Sequence, residues 1–194
     1  QLKQKINFSK DLDELLQSQK TAFIDFSSGL YEVPTPMQFL FPKFKGDSHI
    51  KASYKKEHHN FVIKIANSYQ STNNGVILVL RADNRQIETI LNYKGFLTTL
   101  RRALAGLVLT ELISWDIQNI GIIGRGDLAT QFFNLAKLKY PKNNIMILAR
   151  NKSKALSITN HLCNSVNELL EKCDVILTTT SSKYPIINQS LFRC

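Results

Sequence analysis

Two closely spaced glycines directly after an apolar run are the residues of this chain with the clearest chemistry. Gly124 and Gly126, with Ala129, stand at the three small-residue positions of a G-x-G-x-x-G/A turn that follows Asn119-Ile120-Gly121-Ile122-Ile123. The spacing has a physical cause. The first glycine permits a tight turn, the second lets a pyrophosphate approach the backbone, and the third small residue lets helix and strand pack closely. The helix that follows, roughly Leu128 to Leu138, would aim free N–H groups and its positive dipole end at the phosphates. Gly124, Arg125, Gly126, Asp127 and Leu128 are therefore candidate cofactor-binding residues. A carboxylate for the ribose 2′-hydroxyl is expected about 20 residues further on, but Leu148-Ala149-Arg150-Asn151-Lys152 offers none. Arg150, with Lys152 and Arg125, would suit a 2′-phosphate, so the residues favour NADP over NAD; solvated charges on a basic protein are the plain alternative. Arg150 and Asn151 join the cofactor candidates. So do Thr178, Thr179 and Thr180, at the end of a later strand where open sheets bind ligands, although threonine is also a common strand residue.

These residues need elements to hold them. Asn119 to Ile123 reads as a buried parallel strand, and strand, helix and strand alternate beyond it: Asn144 to Leu148, a helix over Lys152 to Asn160, a helix over Ser165 to Lys172, and a strand over Asp174 to Thr178. Ser165 with Glu168 three residues on is a capping box. Such alternation means a parallel sheet with right-handed crossovers. Only His161 to Asn164 remain where a doubly wound fold places another strand, and three or four strands can be counted against the usual six or so, so this domain reads as incomplete. Upstream, Ser9 and the acids after it start a helix that Gly29 stops. Past Val33-Pro34-Thr35-Pro36 the period turns strand-like over Gln38 to Phe44, Ser48 to Tyr54, Phe61 to Ser68, Val76 to Ala82 and Gln86 to Asn92, with Asp83-Asn84 as a hairpin-type turn pair. A helix over Thr98 to Ile113 leads to a domain boundary near Ser114. The expected fold class is α/β: a Rossmann-type parallel sheet domain over residues 115–194, plus an N-terminal α+β domain with a mainly antiparallel sheet over 1–114.

Composition narrows the partners. The chain has 194 residues, 43% hydrophobic and 21% charged, an ordinary globular composition. No apolar run is long enough to span a bilayer and no signal peptide is apparent, so no membrane partner and a cytoplasmic location are expected. Cys163, Cys173 and Cys194 are odd in number and lack metal-ligand spacing, which fits a reducing compartment. The net charge of +10 brings nucleic acid to mind, but the lysines are spread along the chain without an aromatic-interleaved stripe, so a nucleic-acid partner is not expected. His49, His58, His59 and His161 have no partner pattern, and no metal site is assigned.

Four segments in order, Phe61-Val62-Ile63-Lys64, Asn74 to Leu80, Leu97 to Gly106 with its Arg101-Arg102 pair, and Ile120 to Gly126, make the chain resemble the ornithine cyclodeaminase and mu-crystallin family of NAD(P)-dependent oxidoreductases over most of its length. The resemblance implies an N-terminal sheet domain that forms a homodimer, a Rossmann domain, and hydride transfer at the alpha carbon of a small amino or imino acid. Ketimine reductases, opine-type synthases and cyclodeaminases are of this kind, with small amino, imino or keto acids as substrates. It further implies that Lys64 is the active-site lysine, able to point its ammonium at a carboxylate or pass a proton to the amine nitrogen. Arg101 is implied as the carboxylate-binding arginine, for which a planar bidentate donor is suited, and Thr72 as a cofactor contact. A surface lysine on a sheet and a helix-surface arginine paired with an acid are the plainer readings.

The chain also departs from the family. Met37 stands where many relatives carry an arginine, and Lys51 where ornithine cyclodeaminases carry a glutamate for the distal amine, which argues against ornithine as substrate. The Tyr69 to Asn74 stretch is shorter than the family's loop, and the family's catalytic aspartate would fall beyond Cys194. These departures leave an alternative, a non-catalytic NADP-binding protein like mu-crystallin.

Overall fold

The structure, a computed structural model, describes residues 5–70 and 72–188. Cys194, and Ser71 within the Tyr69 to Asn74 connection, lie outside the described residues. The chain forms two compact units, the first made of residues 1–7 and 17–98 and the second of 8–16 and 99–194.

The first unit is built on a six-stranded antiparallel sheet of β1 (Tyr31–Glu32), β2 (Met37–Phe41), β3 (Gly46–Lys55), β4 (Asn60–Tyr69), β5 (Thr72–Arg81) and β6 (Ile87–Asn92). The order is β1-β3-β4-β5-β6, with β2 also paired to β3. Alternation sorts the side chains onto two faces. The register Lys51↔Lys64↔Ile77↔Leu91 places these four side chains on one face, and Ala52↔Ile63↔Leu78↔Ile90 places those on the other. Helix α1 (Phe8–Ser27) ends in a Schellman motif, in which Leu30 N–H donates to Asp25 O and Gly29 N–H to Phe26 O, with Gly29 at φ +72. The N-cap is Asn7, and Ser9 lies inside the helix. Lys55 Nζ donates to Asp25 of α1 at 2.7 Å.

Two local expectations change. The run Gln38 to Phe44 breaks at Pro42, which has no N–H to extend the ladder, and Pro42–Phe44 form a 3-10 turn closed by Lys45 at φ +52. Asp83-Asn84 is not a two-residue hairpin turn. Its side chains accept from the N–H groups of Asn84 and Gln86, and Arg85 takes the left-handed conformation, so the loop is longer.

Helix α2 (Phe96–Glu111) carries the chain into the second unit. Within that unit it buries Leu100, Ala103, Leu104, Leu107 and Val108, an i, i+3, i+4 stripe. A side chain at Gly106 would meet the Phe132 ring of α3 (Asp127–Lys139) at 3.0 Å. Three parallel strands follow the order β8-β7-β9, with β7 (Asn119–Ile123), β8 (Asn144–Leu148) and β9 (Val175–Thr178). The short His161 to Asn164 segment is a one-residue vestige of a fourth strand: Leu162 bridges Ile147 in parallel on the outer side of β8. The expected helix over Lys152 to Asn160 shrinks to α4 (Lys152–Ala155). Beyond it lie Leu156, half exposed, and Ser157, whose hydroxyl donates to Lys154 O. In that stretch Ala155 is fully buried and Ile158 partly so. α5 (Val166–Lys172) is capped as expected, Ser165 Oγ accepting from Glu168 N–H at 3.1 Å, while the Glu168 carboxylate accepts from Asn164 N–H. Among the described residues no helix is long and apolar enough to cross a membrane.

Candidate functional site

In the second unit the nucleotide-type residues gather at one edge of the parallel sheet. β7 ends at Ile123 and the chain turns through Gly124, Arg125 and Gly126 into α3, while β8 ends beside Arg150 and β9 beside Thr178. Gly124 sits at φ +128, donates its N–H to Leu148 O at 2.9 Å, and is covered by the Thr179 hydroxyl, which a Cβ would strike. Thr179 is held there by two bonds to Ile123 O, from its N–H at 2.8 Å and its Oγ1 at 3.0 Å. Of the three strand-end threonines only Thr179 covers Gly124, through bonds that join residues 56 positions apart and so leave no local pattern.

Gly126 is different. It is the N-cap of α3 at φ −78, an ordinary backbone angle, and a Cβ there would meet no protein atom within 4 Å. Space in front of it is open, and the first-turn N–H groups of Asp127 and Leu128 have no intrahelical acceptors. This is a cradle into which a pyrophosphate can lower against backbone, so the residues fit a dinucleotide. Ala129, fully buried, lets α3 lie close on the strand. Arg125, Asp127 and Arg150 are exposed. Asn151 uses its side chain as the N-cap of α4, accepting from Lys154 N–H at 3.0 Å and Ser153 Oγ at 2.8 Å, and Lys152 Nζ donates to Asn164 Oδ1. Thr178 and Thr180 are exposed, and Thr180 Oγ1 accepts from Ser182 N–H.

In the first unit Lys64 is half-buried at the middle of β4. Its Nζ donates to Thr98 Oγ1 at 3.1 Å and lies 5.0 Å from the centre of the Tyr93 ring. That ring holds the ammonium by its negative face. Tyr93 is 2% exposed and lies over Gly75, where a Cβ would strike the phenol hydroxyl. Neither Tyr93 nor Thr98 was marked by the sequence, since each reaches Lys64 across about thirty residues of chain. β2 presents Gln38, not Met37, to the Lys64 side of the sheet, opposite His49. Thr72 opens β5, exposed, with its hydroxyl donating to Tyr69 O at 2.8 Å. Lys64 and Thr72 belong to the first unit, and Arg101, exposed on α2, to the second.

Comparison with known proteins completes the description. The sequence profile of the ornithine cyclodeaminase/mu-crystallin family matches residues 1–193. An uncharacterized cyclodeaminase of Sinorhizobium fredii is 22% identical over 174 residues, covering 80% of this chain and 53% of the relative. The fold is that of the Thermococcus litoralis Δ1-pyrroline-2-carboxylate reductase solved with NADH and L-proline, at a TM-score of 0.80, 20% identity, and coverage of 97% of this chain and 62% of that one. It is equally like an archaeal alanine dehydrogenase dimer with bound NAD, at a TM-score of 0.82, 17% identity, and coverage of 97% and 61%. The chain thus spans between about half and three fifths of the length of these relatives.

Proposed function

The chain belongs to the ornithine cyclodeaminase/mu-crystallin family, and on that premise we propose that it acts as an NAD(P)-dependent oxidoreductase at the alpha carbon of a small amino or imino acid. The observation that carries this reading is the pair of glycines in the β7–α3 turn. One is required by the protein itself, and at the other an added Cβ would meet no protein atom, which leaves the space before it open to a ligand. A bound nicotinamide supplies or takes the hydride. The N–H groups of Asp127 and Leu128 receive the pyrophosphate, and Thr178 and Thr180 line the same sheet edge. Lys64 holds a proton at Nζ and presents it to the substrate's nitrogen or carboxylate, with Tyr93 and Thr98 fixing its direction. By the family resemblance Arg101 is the proposed partner of a substrate carboxylate and Thr72 a proposed cofactor contact.

The absence of an acid at the end of β8 and the exposed Arg150 support acceptance of a 2′-phosphate, hence NADP at least as readily as NAD. Arg125 in the glycine turn adds a second exposed cation, while the relatives above were solved with NADH or NAD. The free thiols of Cys163 and Cys173 support a reducing, cytoplasmic setting. Homodimerisation is supported by the sheet face opposite Lys64, which leaves Met37, Phe39, Phe41, Ile87 and Ile90 exposed.

Titration of the chain with NADH and NADPH by cofactor fluorescence, followed by a panel of amino, keto and imino acids, tests the reading. Saturable binding and turnover that falls at least about a hundredfold in Lys64→Ala support it, a typical loss for a proton-transfer group. Binding with no turnover of any such compound would leave a non-catalytic cofactor binder instead.

A further inference from the structure

Two of the contacts that Lys64 makes come from a single connection. β6 ends at Asn92 and the chain turns through Tyr93 to Gly95 into α2, with Phe96 N–H donating to Tyr93 O at 2.8 Å and Thr98 N–H to Gly95 O at 3.0 Å. Gly95 takes φ +79, and a Cβ on it would lie 3.0 Å from Asn73 O of β5. This tight turn sets both the Tyr93 ring and the Thr98 hydroxyl against Lys64. The phenol hydroxyl fills the notch left by the missing side chain of Gly75 on β5, so the ring is pinned at its far end as well. At 2% exposure the ring is shielded from water, and a cation over a desolvated aromatic face is held more strongly than one at an exposed site.

We propose that Tyr93 is a positioning residue for Lys64: its ring face keeps Lys64 in the ammonium form and aims it, so that Lys64 serves as a proton donor and carboxylate partner and not as a nucleophilic amine. The proposal rests on the reading of Lys64 as the substrate-facing lysine. A neutral amine has no charge for the ring to attract, so the contact favours the protonated form alone. On β3 the register sets Lys51 opposite Lys64, a like charge that loosens the Lys64 proton, and on β5 it sets the uncharged Ile77. Further along the same face of β3, Asp47 and His49 bond each other. Lys94 in the turn is exposed, and Arg101 and Arg102 of α2 belong to the second unit.

Acylation of the full chain by a neutral succinimidyl acetate over a pH series, read at Lys64 by peptide mass spectrometry, tests the proposal without substrate or cofactor, since only the free amine reacts. The wild type is compared with Tyr93→Phe and with the chain carrying trifluorophenylalanine at position 93, a ring of nearly the same shape whose face has lost its negative charge. Tyr93→Phe keeps the wild-type pH profile. The fluorinated ring raises Lys64 acylation about tenfold at about pH 8 and moves its profile about one pH unit lower, while Lys55, held by Asp25, acylates as before. A profile that fluorination leaves in place, or a rate raised equally at every pH, overturns the role of Tyr93. Turnover of imino acids with NADH is measured in the same proteins. A wild type that turns over no such acid, yet shows the fluorine-dependent profile, overturns the oxidoreductase reading and leaves the hold of Tyr93 on Lys64 standing. Turnover with a profile indifferent to fluorine does the reverse.

Discussion

Gly124 and Gly126 serve different ends, although their spacing makes them look alike in the sequence. The positive φ of Gly124 and the hydroxyl of Thr179 over it are internal demands of the fold, whereas nothing in the protein requires a glycine at 126. The spacing was legible because turn chemistry is local. The bond from Thr179 to Ile123 and the contacts of Tyr93 and Thr98 with Lys64 were not, because each joins residues far apart along the chain. A residue-scale prediction comes from Cys173. Burial, with smaller contributions from Cys163 and Asp174, pushes its thiol up to about 12. In the unfolded chain it titrates near the ordinary value of about 8.5. Between roughly pH 9 and 12 the unfolded chain therefore sheds a proton that the folded chain keeps, and stability falls as pH rises through that window. Urea midpoints are expected to decline there, and the decline to shrink in Cys173→Ala. At pH 8 the native Cys173 thiol resists alkylation and reacts once the chain is unfolded; equal reactivity in both states would refute the burial argument.

Among the elements, those with a strong apolar period and sharp ends were readable. β7 and β8 fall where the Ile-rich runs predict them, and Gly29 ends α1 through the left-handed conformation only glycine adopts cheaply. The failures have local causes. Pro42 ends a strand that aromatic residues on both sides would extend, and in the Lys152 to Asn160 stretch only the turn capped by Asn151 is helical. Leu162 pairs through a single bridge, too little for any periodic signal. The Ser165 cap is testable at this scale. Ser165→Ala removes the acceptor for Glu168 N–H and is expected to cost about 1 kcal/mol, read as a lowered denaturation midpoint at unchanged slope. An unchanged midpoint would mean that the cap is redundant.

For the whole molecule, family membership was legible from four motifs in order, while the strand register that sets Lys51 opposite Lys64 was not, because it joins segments apart in the chain. The six-stranded sheet contains no fully buried hydrophobic side chain among its described strand residues, and a sheet with an exposed apolar face needs cover. Sedimentation velocity is expected to give a dimer, and a Phe39→Lys, Ile90→Lys double variant a monomer; a wild-type monomer at micromolar concentration would refute this.

The proposed binding of a nicotinamide dinucleotide at the β7–α3 turn is tested by a fluorescence titration of NADH and NADPH into the wild type and into Gly126→Val, each with a thermal unfolding curve. A Cβ at Gly126 meets no protein atom, so the folding cost of Gly126→Val is expected to stay at about 1 kcal/mol, that of an unfavourable residue at the N-cap. Dinucleotide affinity should fall by a factor of ten or more, the roughly 1.4 kcal/mol cost of holding the pyrophosphate off the backbone. Equal affinity in the two proteins, or no saturable binding by the wild type, would contradict the account.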